Sequence, residues 1–236
     1  MPGPDPERSP EAGFERLETA DGSVTLVHPV FKEAYSSVHG ALTQARRLYL
    51  ELTRTHLDPK PRVLEVGFGL GVNFRVTLEN TLSRGVELEY LSYEFAPLER
   101  ALLESVEVPL GEAAREVWAE VLGRWPEPGG PAGPLQLSGN WGRLELRFED
   151  VLEATFPERW ATAIYLDPFS PEVNPLPWSL PVFERLYAAA MPKTLLGTYS
   201  VAGEVRRGLT QAGFAVQRVP GVGKKAWLLA SRSRSG

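Results

Sequence analysis

The sequence predicts an α/β protein: a mostly parallel sheet of seven strands, with helices on both faces and an antiparallel hairpin at its end. Two features carry that expectation. From Arg62 onward, short apolar runs of strand length alternate with stretches of helical periodicity, the pattern of βαβ units joined by right-handed crossovers. The last two runs, FAVQRV (214–219) and AWLLAS (226–231), are separated only by PGVGKK and so pair antiparallel. With 236 residues, 43% of them apolar, the chain can bury one sizeable core.

The elements follow in order. Residues 1–13, MPGPDPERSPEAG, are proline-rich and acidic and are expected to be disordered. A single domain is expected over 14–231, with a hairpin and helix in 14–58 and the core in 59–231, before a disordered tail at 232–236. FERLET and VTLVH flank ADGS, where Asp21-Gly22 signals a hairpin turn. Residues 40–56 space Leu42, Ala45, Leu48, Tyr49 and Leu52 for a helix, which Asp58-Pro59 and Pro61 end.

The strands are RVLEV (62–66), LEYLSYE (88–94), RLELRF (143–148), TAIYLD (162–167), KTLLGTYS (193–200) and the final pair. Helices are expected after the glycine turn at 67–71, near Pro97, and near 151–156, 178–190 and 203–212. WPEPGGPAGP (125–134) reads as a surface excursion.

Composition excludes several chemistries. There is no cysteine, hence no disulfide, thiolate metal site or cysteine nucleophile. His28, His39 and His56 lack the spacing of a helical metal site, and no metal is expected. No apolar run approaches the roughly 20 residues that span a bilayer, so a cytoplasmic protein without a membrane partner is expected. The net charge of 25 − 30 = −5 hides an asymmetry. Residues 192–236 hold eight basic residues against Glu204, 8 − 1 = +7, which leaves −12 on the rest. A local polyanion site is the expectation.

Three strand ends carry candidate chemistry. Glu65-Val66-Gly67-Phe68-Gly69-Leu70-Gly71-Val72-Asn73-Phe74 lets backbone approach a ligand, with a helix N-terminus behind it. Valine at 72 breaks the dinucleotide spacing, and the acidic Glu65 suits a cationic ligand better than a pyrophosphate. Glu94 ends the second strand, where a carboxylate can accept the hydroxyls of a ribose. Asp150, after the third strand, is placed for an adenine amino group or as a helix N-cap. Tyr165-Leu166-Asp167-Pro168-Phe169-Ser170-Pro171 delivers Asp167 to a strand tip, with Pro168 freeing its carbonyl and Phe169 offering a ring to a planar base.

The glycine loop and the sheet plan resemble class I S-adenosylmethionine-dependent methyltransferases, with their Rossmann-like core. The Asp-Pro-Phe turn resembles the motif of those that methylate nitrogen. LDPFSPEVNPLPW (166–178), TYSVAGEVRRGLTQAGF (198–214), PGVGKK (220–225) and EAYSSVHG (33–40) together resemble the MnmC methyltransferase-domain family, over about Ala34 to Leu229.

That resemblance implies methyl transfer from S-adenosylmethionine to the amine of 5-aminomethyl-(2-thio)uridine in tRNA. It implies Tyr35, Glu65, Gly67, Phe68, Gly69, Gly71, Asn73, Phe74, Glu94, Asp150 and Asp167 at the cofactor and Asp167, Pro168 and Phe169 in catalysis. Arg206, Arg207, Lys224 and Lys225 are the tRNA-phosphate candidates. Relatives often carry glutamate where Gln44 stands and lysine where Val173 stands. The bifunctional relatives add an FAD-dependent oxidase domain; this chain is expected to be the stand-alone form, without FAD, taking an aminomethyl substrate made elsewhere.

No obligate protein partner is inferred. With a reference carboxyl pKa near 3.9, Asp167 is expected to orient the amine more than to store its proton. Competing readings are a small-amine methyltransferase, a polyamine-type aminopropyltransferase, and a non-catalytic tRNA-binding module.

Overall fold

The computed structural model describes residues 13–127, 133–223 and 225–233. β1 (Glu15–Glu18) and β2 (Val24–Val27) pair antiparallel around the Asp21-Gly22 turn. This hairpin also caps the next helix. Ser23 Oγ accepts from the Ala41 and Leu42 amides, and Asp21 accepts from the Thr43 amide at 2.8 Å. First-turn amides otherwise lack a partner. The helix, α1 (Ala41–Gln44), opens directly into a π-helical segment, Ala45–Glu51, and a 3₁₀ turn, Thr55–Leu57.

The main sheet holds β3 (Arg62–Val66), β4 (Leu88–Tyr93), β5 (Leu135–Gly139), β6 (Gly142–Arg147), β7 (Ala161–Leu166), β8 (Ala190–Thr198), β9 (Ala215–Pro220) and β10 (Ala226–Ser231), in the order β5-β6-β4-β3-β7-β8-β10-β9. β6, β4, β3, β7 and β8 are parallel, and β10 runs antiparallel to both β8 and β9.

Among the described residues five further α-helices follow: α2 (Val72–Arg84), α3 (Arg100–Glu104), α4 (Glu112–Gly123), α5 (Leu180–Ala189) and α6 (Gly203–Gln211). One face of the sheet is packed with side chains of α2, α4 and the π-helical segment, including Tyr49, Phe74, Leu78 and Trp118. The other carries α5 and α6 through Val182, Phe183, Val205 and Leu209. No helix among the described residues is long and apolar enough to cross a membrane.

The sheet differs from expectation by one strand. β5 folds back antiparallel on β6 through Asn140-Trp141, making eight strands instead of seven. Gly142 permits this: at φ 120°, a Cβ there would lie 2.0 Å from the Leu88 carbonyl oxygen. The helix expected at 151–156 is absent; a turn follows Asp150, whose carboxylate accepts the Leu152 amide at 2.9 Å. The expected disordered N-terminus and tail lie outside the described residues at 1–12 and 234–236, as does 128–132 of the excursion. Arg232 corrects the tail expectation: its guanidinium donates to Tyr187 O at 2.7 Å and lies over the Tyr187 ring.

Candidate active site

Parallel register brings the three chemical strand ends together. Val66 lies opposite both Tyr93 and Leu166, so Gly67, Glu94 and Asp167 emerge side by side. The junction is sealed by Gly67 N–H donating to Tyr93 O and Asp167 N–H to Val66 O, both at 2.9 Å. Ligand sites of open α/β sheets lie beyond such strand ends.

Here a cavity of about 640 Å³ opens, lined by Tyr35, Gly67, Phe68, Gly69, Asn73, Glu94, Asp150, Asp167, Pro168, Phe169 and Lys225, with Gln44 at its wall. Its volume falls in the range of small-molecule sites.

Glycine is required where the loops touch. Gly67 has φ 91°, and a Cβ would meet the Asp167 carbonyl oxygen at 2.7 Å. Glu94 fixes the loop from the other side, accepting Gly69 N–H and Ala96 N–H at 2.9 Å each. Burial raises the Glu94 carboxyl above its usual range, and backbone N–H groups oppose the rise. Arg75 braces the loop from beneath, donating to Leu70 O and Val106 O and lying 4.5 Å over the Trp118 ring.

Asp167 is the centre of a hydrogen-bonded chain. Tyr49 Oη donates to Oδ1 at 2.5 Å, and Asn73 Nδ2 donates to Oδ2 at 2.8 Å. Asn73 also reaches Glu65 Oε1 at 3.0 Å, and Ser92 donates to the other Glu65 oxygen at 2.9 Å. Burial pushes the Asp167 carboxyl up to about 7, even though both donors pull it down. Burial likewise pushes Glu65 up to about 8, with the Asp167 charge adding to the rise. Asp167 therefore titrates near neutrality, unlike the weak base expected from its reference value.

Some expected residues sit elsewhere. Glu65 is fully buried beneath Asn73 and does not line the cavity, because its side chain turns into the core. Phe74 is buried edge-to-face on Tyr90 and Trp141, and Gly71 makes room for Trp118, which a Cβ would approach to 2.8 Å. The Pro168 carbonyl already accepts the Tyr199 hydroxyl at 2.8 Å. Arg206 and Arg207 lie on α6 at a separate shallow depression with Thr210 and Gln211. Lys224 lies outside the described residues. Val173 donates its amide to Ser170 O, inside the turn after Phe169.

Sequence alone pointed to Tyr35 at the cofactor but did not single out Tyr49 or Tyr199 for the site, nor His28, Phe31 and Glu33, which cover it together with Tyr35. His28, Phe31 and Tyr35 surround Phe169 at ring distances of 5.3, 4.9 and 4.9 Å. Glu33 grips Ser170 through its amide at 3.0 Å and hydroxyl at 2.5 Å. Only the aromatic density of 28–35 could have signalled this.

The sheet order, the antiparallel β10 and the acid-tipped loops around one cavity define a class I S-adenosylmethionine-dependent methyltransferase fold. The family model for S-adenosyl-L-methionine-dependent methyltransferases matches residues 112–233, and the chain belongs to that family. The chain is 34% identical, over 223 residues, to the tRNA 5-methylaminomethyl-2-thiouridine biosynthesis bifunctional protein MnmC of Aeromonas hydrophila, covering 87% of this chain and 33% of that protein. It thus spans about a third of that relative's length.

The crystal structure of MnmC2 from Aquifex aeolicus superposes with a TM-score of 0.73 at 29% identity, over 98% of this chain and 73% of that one. The resemblance to the MnmC methyltransferase-domain family read from the motifs is shown by these matches. The spermidine synthase of Thermotoga maritima shares the fold, at a TM-score of 0.58 and 14% identity over 93% of this chain and 69% of that one.

Proposed function

We propose that residues 14–231 form one methyltransferase domain that methylates the primary amine of 5-aminomethyl-(2-thio)uridine at the tRNA wobble position, giving the 5-methylaminomethyl base. The name of the Aeromonas hydrophila relative, which places it in tRNA 5-methylaminomethyl-2-thiouridine biosynthesis, supports this substrate class. The observation that carries the chemistry is Asp167, at a cavity-lining strand tip, with its titration raised to about 7.

The donor set fits S-adenosylmethionine. Glu94 would accept the ribose hydroxyls, Asp150 the adenine amino group, and the Gly67–Gly69 backbone would lie along the amino-acid arm. When bound, the cofactor supplies an electrophilic methyl group. The residues of this chain deal with the amine, which arrives as an ammonium ion.

Asp167 accepts one ammonium proton and leaves a lone pair on nitrogen held toward the cavity. Against an ammonium of reference pKa about 10.4, that transfer costs about 5 kcal/mol to a carboxyl near 7, but about 9 kcal/mol to one at 3.9. Phe169, set among His28, Phe31 and Tyr35, offers its ring to the uracil.

Asp167→Asn should lower single-turnover methyl transfer by about 10²-fold or more while calorimetric binding of S-adenosylmethionine stays near wild type. An unchanged rate would remove Asp167 from the mechanism. Labelled cofactor, incubated with tRNA from cells lacking this gene and digested to nucleosides, should place the label on the wobble uridine side chain. Label on any other nucleoside, or on none, would sink the substrate assignment.

A further inference from the structure

We propose that Tyr49, in the π-helical segment Ala45–Glu51, is a positioning residue for methyl transfer that holds the Asp167 carboxylate in place for the acceptor amine. The inference rests on Asp167 as proton acceptor and extends it to a residue outside the cavity lining.

Three observations converge. First, the helix after the capping hairpin widens as it nears the site: Leu52 N–H bonds back to Arg47 O, five residues earlier. Such segments are uncommon and concentrate at functional sites. Second, Ala45, Leu48 and Tyr49 of this segment are buried, and the Tyr49 hydroxyl reaches across 118 residues of sequence to Asp167 Oδ1 at 2.5 Å. Third, the grip has two points: Tyr49 holds one oxygen and Asn73 the other, from different helices. The carboxylate plane is fixed, and each oxygen keeps a lone pair for the ammonium proton.

Tyr49 itself stays protonated, because burial and the adjacent Asp167 charge push its phenol well above the usual range. It can donate to the carboxylate but cannot take the proton. When the ammonium N–H bond breaks, the proton goes to Asp167, and Tyr49 keeps its own. The other titratable groups around this centre include Glu65 from β3, Tyr90 from β4, Tyr165 from β7 and Tyr199 beyond β8.

A buried tyrosine hydroxyl seeks a partner for packing reasons alone, so the test separates packing from positioning. Tyr49→Phe keeps the ring against Tyr165 and removes only the donor. In single-turnover transfer to aminomethyl tRNA between pH 5.5 and 9, its acidic limb should move to higher pH by about one unit, because a donor favouring the ionised carboxylate is gone. The plateau rate should fall about tenfold, with cofactor affinity unchanged. A loss of rate uniform across pH, or no loss, overturns the proposal.

A ¹³C carboxyl titration of the protein without tRNA, with Asp167 assigned through Asp167→Asn, should show the same upward shift. No shift in that titration overturns the inference even if wild-type transfer is normal. A normal shift alongside wild-type protein that methylates no aminomethyl tRNA supports the inference and overturns the function reading alone.

Discussion

Glu65 shows what complete burial does to an acidic side chain beside a glycine loop. An ionised carboxylate with no solvent must be compensated by donors, and Glu65 has two, from Asn73 and Ser92. They do not match the loss of water, so the group is held neutral up to about pH 8. The sign for stability follows. The unfolded chain releases this proton near the ordinary carboxylate value, while the folded chain keeps it until about 8. Stability due to Glu65 is therefore full at acid pH and falls as pH rises across that window. Denaturant unfolding at pH 5.5 and pH 8 should show wild-type stability falling, and Glu65→Gln should reduce that slope by up to about 1.4 kcal/mol per pH unit. An equal slope in the variant would mean that Glu65 ionises normally. Asp167, Glu94 and Gly67 were readable in the sequence because a strand end fixes where they emerge. The inward turn of Glu65 and the reach of Tyr49 were not, since both depend on partners distant in sequence.

The β1–β2 turn and the start of α1 form one unit. Asp21 accepts from Thr19 and Ser23 on its own hairpin and from the amide and hydroxyl of Thr43 on the helix. Burial would raise its carboxyl, but the donors from Ser23, Thr43 and Thr19 outweigh it and hold the group well below the usual range. Its contribution is therefore present above the unfolded value and is lost as pH falls through the folded one. Asp21→Ala should destabilise the protein by about 1–2 kcal/mol at pH 7, the size of a lost N-cap, and the difference from wild type should close in strong acid. A constant difference down to pH 2 would contradict the capping role. The Asp-Gly pair announced the hairpin from sequence, but the cap reaches 22 residues ahead to a helix with no capping side chain of its own. The π-helical register and β5 were equally hidden, because each depends on tertiary contacts rather than on local spacing.

At the scale of the molecule, charge divides the chain into an acidic body and a basic C-terminal stretch, 8 − 1 = +7 over residues 192–236 against −12 elsewhere. The fold uses part of that positive charge internally. Arg232 is bound to the Tyr187 and Ala190 carbonyls and covers the Tyr187 ring, so it is withdrawn from any polyanion. Arg206 and Arg207 make no ion pair among the described residues and stand together on α6, while Lys225 lies at the cavity itself. Such a layout suits a long anionic substrate that inserts one nucleoside beside Lys225 and rests its backbone along α6. The two positions then predict different phenotypes. Arg206→Glu with Arg207→Glu should weaken tRNA binding and lessen the slope of log affinity against log salt by about 0.7–0.9 for each phosphate that the pair no longer neutralises, with cofactor binding unchanged. Lys225→Glu should weaken tRNA binding and also lower the transfer rate at saturating tRNA, because it changes the charge at the reacting end. If the α6 pair leaves the salt slope at its wild-type value, tRNA does not run along that helix, and the basic excess near the C-terminus serves only the protein surface.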